Sequence, residues 1–209
     1  MNVAEKLENT TQERFSYEDY LKWETGNERW ELVDGEAYAM ASPNTTHQTI
    51  SGNFYFALRS KLGKDSGCKV FSAPMDVLLE RSDILQFTQK STKQKSKKQS
   101  KDTVVQPDIL VVCDPKKIGE KAIEGVPDLI IEILSPSNAH YDTVVKFAKY
   151  REVKVQEIWF VDPDTKTISV YTYDNETQEY KVAFFNESSE KIPVGINEGI
   201  ILTPDEIFA

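Results

Sequence analysis

The order of helical and strand-like segments predicts an α/β or α+β fold, a mixed sheet flanked by helices. Three observations carry that reading. Residues 45–62 repeat apolar side chains at helical spacing, with Ile50, Phe54, Ala57, Leu58 and Leu62 on one stripe. Residues 103–113 and 126–134 are dense in Val, Ile and Leu, and each opens near a proline, as buried strands do. Between Arg29 and Ala41, two strand-like runs flank Asp34-Gly35, a strong two-residue hairpin signal.

Taken in order, residues 1–14 are polar and expected to be mobile, and residues 15–209 are expected to form one domain. Ser16 followed by Asp19 opens a capped helix, with Gly26 as its stop. The hairpin register sets Glu31 opposite Tyr38, sharing a face with Val33 and Met40. Gly63 ends the helix at 45–62, and strands are expected at 68–72 and 74–80. A Ser/Thr/Gln/Lys-rich insertion at about 81–102 reads as a mobile loop. Ser137 to Glu152 is expected to be helical, with Val144, Phe147, Ala148 and Arg151 on one stripe and Asp142, Lys146 and Tyr150 on another. Strands follow at 156–163, 168–173 and 180–185, and Thr203-Pro-Asp-Glu starts a last helix.

Composition narrows the function classes. A net charge of -9 excludes a protein that coats nucleic acid by bulk electrostatics, so any phosphate contact must be local. No apolar run approaches the roughly 20 residues of a membrane span, and the N-terminus shows no secretory pattern, so a cytoplasmic location is expected. Cys68 and Cys113 lie far apart without zinc-ligand spacing. They are read as small buried strand residues rather than a disulfide framework.

The chemistry lies in carboxylates placed where apolar residues belong. Glu31, Asp108 and Glu132 each sit in a strand-like run, and a buried acid must be paired, protonated or metal-bound. Asp108 and Glu132 on neighbouring strands, joined by a loop at 114–125, would make half of an oxygen-rich site for a hard divalent cation. Phosphodiester hydrolysis needs such a cation, a water nucleophile and a cationic side chain near the developing charge.

These residues resemble a known family. Glu31-Leu-Val-Asp-Gly-Glu, Ser42-Pro-Asn-Thr-Thr-His47, Pro107-Asp108, Ile131-Glu132-Ile-Leu-Ser-Pro-Ser137, then Asp142 with Lys146 and Tyr150, and Ile158-Trp-Phe-Val-Asp-Pro163 look like the uncharacterised "putative restriction endonuclease" family of the PD-(D/E)XK nuclease superfamily. The resemblance implies a restriction-endonuclease-like core and Mg²⁺-dependent DNA cleavage, with Mn²⁺ as a substitute. It implies Asp108 and Glu132 as metal ligands and Glu31 as an assisting acid. Leu134 stands where the superfamily's lysine would follow Glu132, so the chain resembles variants whose lysine has moved to the next helix. Lys146 is the candidate and Lys149 the fallback, and His47 and Lys149 are candidate substrate contacts. A homodimer on DNA is expected. The rivals are an inactive binding or assembly module of the same fold and an enzyme acting on RNA.

Overall fold

The computed structural model describes residues 14–23, 26, 28–63, 66–80, 102–197 and 199–209. The polar start, residues 1–13, and most of the lysine-rich insertion, residues 81–101, lie outside the described residues. A short helix α1 (Tyr17–Tyr20) leads into β1 (Arg29–Val33), β2 (Glu36–Met40), the long helix α2 (Thr45–Leu62), β3 (Lys69–Ser72) and β4 (Asp76–Glu80). Next come β5 (Thr103–Val105), β6 (Ile109–Val112), β7 (Ala122–Glu124) and β8 (Leu129–Ile133). A π-helical segment (Tyr141–Lys146) then runs into α3 (Phe147–Glu152). β9 (Glu157–Asp162), β10 (Thr167–Asp174), β11 (Glu179–Phe185), β12 (Ile192–Pro193), β13 (Ile201–Leu202) and α4 (Pro204–Phe208) complete the chain.

The larger strands form two mixed sheets. One has five strands in the order β2-β1-β5-β4-β7, the other six in the order β11-β10-β9-β8-β6-β3. Helix α2 buries Ile50, Phe54, Ala57, Leu58 and Leu62, as its spacing predicts, on one face of the six-stranded sheet. The Phe54 ring meets Trp159 of β9 edge to face with centroids 6.0 Å apart. A second apolar cluster joins β1, β4 and β5 of one sheet to β6, β8 and β9 of the other, together with Tyr150 from α3. The two sheets are thus packed through a shared core.

Four sequence expectations are corrected. The run 103–113 is two strands in different sheets, since Pro107 has no N–H to continue a ladder and the chain changes sheet at Gln106-Pro107-Asp108. Helix α1 ends at Tyr20 rather than near Gly26, because Trp23 folds back onto Phe15 and Tyr20, with ring centroids 5.4 and 5.2 Å away. The expected loop at 114–125 holds β7, which pairs parallel to β4. Cys68 and Cys113 form a disulfide. The antiparallel β3–β6 register, which pairs Lys69 with Val112, sets these two cysteines opposite each other one step further on. The hairpin register is as expected, with Glu31 paired to Tyr38.

Glu157 opens β9 fully buried, a position the sequence reading did not single out. Its Oε1 accepts the Trp159 indole N–H at 2.6 Å, and its Oε2 accepts the Ile196 N–H at 2.9 Å. Burial pushes the carboxyl pKa up, and these donors oppose the shift. A Cβ on Gly195 would stand 3.0 Å from Oε2, so the loop can approach only as glycine there. This acid therefore ties the C-terminal loop to the central sheet. Glu157→Ala leaves both donors unpaired, and urea unfolding should show a loss of about 2–4 kcal/mol. A loss within ~0.5 kcal/mol, as at ordinary surface positions, would contradict that role.

Candidate active site

Strand β8 places Glu132 by simple alternation. Ile131 and Ile133 face the cluster under α2, while Ile130 faces the other core, on the same side as Glu132. Strand β6 runs antiparallel to it with Ile109 paired to Ile131, so continuing the register by one residue sets Asp108 opposite Glu132. The two acids belong to neighbouring strands, as the sequence suggests. Asp108 stands at the corner where the chain leaves β5, and its Oδ2 accepts the Ile133 N–H at 2.8 Å.

The helix after β8 presents to the interior the stripe that carries the candidate lysine. Its charged stripe is inward: Asp142, Lys146, Lys149 and Tyr150 are buried, whereas Val144 is 51% exposed. Lys146, 1% exposed, places Nζ 2.6 Å from Glu132 Oε1, 3.1 Å from Glu31 Oε1 and 3.4 Å from Asp142 Oδ1. A buried ammonium draws the acids around it and holds the stripe inside. The contact to Asp142 lies within the π-helical segment, a widened turn of a kind found frequently at functional sites. The Tyr150 hydroxyl donates to Glu132 Oε1 at 2.6 Å, and the Gln106 N–H donates to Glu31 Oε1 at 2.6 Å.

A cavity of about 250 Å³ opens above this cluster, lined by Asp108, Glu132, Asp142, Lys146 and His47 among others. His47 Nε2 lies 3.1 Å from Asp108 Oδ2, and the side chain of Asn44, which caps α2, accepts the His47 N–H at 2.8 Å. Asp108 Oδ2 is thereby engaged twice. Asp108 Oδ1 and Glu132 Oε2 take no hydrogen bond from another described residue and are not among the sealed polar atoms. Glu31 is different: it lies outside the cavity lining, and its Oε2 is sealed. Lys149 also lies outside, with Nζ 2.7 Å from Asp34 Oδ1 and 2.8 Å from Glu152 Oε2. Arg29, at the start of β1, lines the cavity as well. Sequence reasoning missed Arg29, although it shares a strand face with Glu31 by alternation.

Three carboxylates around one ammonium set the local electrostatics. Burial pushes the Glu132 pKa well above the usual carboxyl value, with Lys146 opposing the shift. Burial likewise takes Asp142 up to about 6 against the pull of Lys146. Lys146 is driven down by burial, but Glu132 and Glu31 outweigh this and hold it above the usual lysine value. Burial lowers His47, yet its hydrogen bond to Asp108 and the charge there raise it overall. Burial thus works against the charge on Glu132 and Asp142, and the Lys146 ammonium between them works for it.

Among the described residues no group of three or more His, Cys, Asp or Glu side chains is arranged to hold a metal. The available donor set is smaller and of one kind. Asp108 Oδ1 and Glu132 Oε2 are hard oxygen donors with lone pairs free among the described residues, and Mg²⁺ is usually held by one or two carboxylates with water and phosphate completing its shell. That donor chemistry fits magnesium.

A family model described as "Putative restriction endonuclease" matches residues 17–204. Two curated Synechocystis sp. (strain ATCC 27184 / PCC 6803 / Kazusa) proteins are similar over most of their length. "Uncharacterized protein slr1290" is 26% identical over 178 residues, covering 84% of this chain and 82% of that protein. "Uncharacterized protein sll1609" is 24% identical over 176 residues, covering 82% and 88%. A crystal structure described as "a putative nuclease belonging to DUF820", from Anabaena variabilis ATCC 29413, superposes with a TM-score of 0.69 at 20% identity, over 93% of this chain and 97% of the other. The fold is thus nuclease-like, and the family match supports nuclease function.

If Lys146 neutralises the buried acids, Lys146→Met should destabilise the metal-free protein by about 3–5 kcal/mol in urea unfolding. Lys149→Met should cost less, about 1 kcal/mol, because its partners Asp34 and Glu152 are 38% and 54% exposed. Equal losses in the two variants would contradict the assignment.

Proposed function

The chain belongs to the putative restriction endonuclease family, and on that premise we propose that it is a metal-dependent endonuclease that hydrolyses DNA phosphodiester bonds. One observation carries the proposal: a fully buried lysine, delivered by the helix after β8, meets Glu132 beside Asp108 at the wall of one cavity. Leu134, where the superfamily's lysine would stand, is instead half-buried and packed against the core between the sheets. The lysine's role has somewhere else to reside.

In this reading Asp108 and Glu132 hold Mg²⁺, with Mn²⁺ as a substitute, through the oxygens that face the cavity. Bound there, the cation supplies the Lewis acidity that hydrolysis of a phosphodiester needs. Lys146 directs N–H donors toward the charge that develops on the phosphate, from a site where low dielectric strengthens the interaction. Glu31, outside the cavity lining, and Asp142, at its wall, hold the ammonium in place. His47 engages Asp108 Oδ2 and so directs Oδ1 into the cavity, where the histidine also borders the substrate. Lys149 is held by Asp34 and Glu152 outside the cavity lining, which favours Lys146 as the active lysine.

Because the chain carries a net charge of -9, productive DNA binding should need the divalent cation. A homodimer would present two such cavities to the two strands of a duplex. No described helix is long and apolar enough to cross a membrane, and a DNA substrate sets the expected place of action in the cytoplasm.

Plasmid nicking in Mg²⁺ tests the assignment. Asp108→Asn and Glu132→Gln should abolish cleavage, EDTA should do the same to the wild type, and Lys146→Gln should slow cleavage by ~10²–10³ below its own melting temperature. Absence of cleavage by the wild type on any DNA with Mg²⁺ or Mn²⁺ would instead favour a nuclease fold kept as a binding module.

A further inference from the structure

A second cavity of about 420 Å³ adjoins the first and shares Arg29, Pro43 and Asp108 with it. Its remaining walls are Gln48, Ser51, Gly52 and Tyr55 of α2 and the turn at residues 72–74. Two features of this cavity are unexplained by the fold itself. Gly52 sits exposed in the middle of the 18-residue α2, and a Cβ added there would meet nothing within 4 Å. Glycine inside a helix lowers its stability relative to alanine, so the position carries a cost that no internal packing requires. Arg29 is half-buried between the two cavities, and its side chain makes no ion pair or hydrogen bond to another described residue. It is a guanidinium without a carboxylate partner among them.

We infer that the second cavity is a subsite for the DNA strand, taking the nucleotide that flanks the phosphate held at Asp108; the inference rests on the nuclease reading above. Arg29 meets the flanking phosphate, for which its planar fork is suited. The sugar-phosphate backbone then crosses α2 at Gly52, where the missing side chain lets it approach the helix closely. Gln48, Ser51 and Tyr55 line the path with hydrogen-bonding groups and one aromatic ring, the mixture that positions a strand without reading its sequence.

The test pairs stability with binding, which the inference moves in opposite directions. Thermal melts and fluorescence anisotropy on a labelled DNA duplex, with Ca²⁺ in place of Mg²⁺, are measured for wild type, Gly52→Leu and Arg29→Gln. Gly52→Leu should raise the melting temperature by about 2 °C, since a good helix former replaces glycine at an open position. The same variant should weaken DNA binding at least ~10-fold. Arg29→Gln should weaken binding and lower the slope of log affinity against log salt by about 1. If Gly52→Leu melts below wild type, Gly52→Ala takes its place, with binding weakened by about 3-fold at a raised melting temperature. Wild-type affinity in a Gly52 variant of equal or higher melting temperature overturns the subsite. A wild type that cleaves normally alongside such a variant leaves the nuclease reading standing, whereas a wild type that binds duplex through Arg29 and Gly52 but never cleaves removes the nuclease and keeps the subsite.

Discussion

The ammonium of Lys146, buried among Glu31, Glu132 and Asp142, is the interaction on which the rest of the site depends. Glu31 comes from the five-stranded sheet and Glu132 from the six-stranded sheet, so a lysine from the intervening helix joins the two layers. Such a cluster is a poor device for stability alone, because removing four charged groups from water is expensive even when they pair well. Apolar residues of similar volume would hold the sheets together at less cost. Perturbed carboxyls and an ammonium at the wall of a cavity are instead what proton handling and charge stabilisation require.

Pro107 sets the second constraint. By ending the ladder after β5 it sends the chain from one sheet to the other and leaves Asp108 at the corner, opposite Glu132 across the β6–β8 register. The Ile133 N–H and His47 then fix one oxygen of Asp108 and leave the other without a hydrogen bond among the described residues. A carboxylate held by the backbone of the neighbouring strand cannot drift away from Glu132. The strand break and the site are one structural event.

Local pattern made much of this legible. The hairpin register at Asp34-Gly35, the apolar stripe of α2 and the alternation in β8 are set by near neighbours, and each has the predicted geometry. What could not be read depends on long-range partners. The enclosure of the Lys146 ammonium by three acids, two of them from distant strands, follows only from how the two sheets pack. The pairing of Cys68 with Cys113 follows from a β3–β6 register that sequence spacing does not reveal. Glu157 lay unmarked because its partners, Trp159 and a backbone N–H from the 195–196 loop, are recognisable only once the loop has closed on β9. Arg29 was overlooked for a similar reason, since its place between two cavities depends on where α2 docks.

The central claim is that one cation sits between Asp108 and Glu132 with Lys146 facing the phosphate. Anomalous diffraction from crystals soaked in Mn²⁺ with a short DNA duplex tests it directly. A single strong peak should lie about 2.1 Å from both Asp108 Oδ1 and Glu132 Oε2, with Lys146 Nζ within hydrogen-bond reach of a phosphate oxygen. A peak bound elsewhere, or a phosphate approached by Lys149 while Lys146 stays enclosed by its acids, would contradict the account.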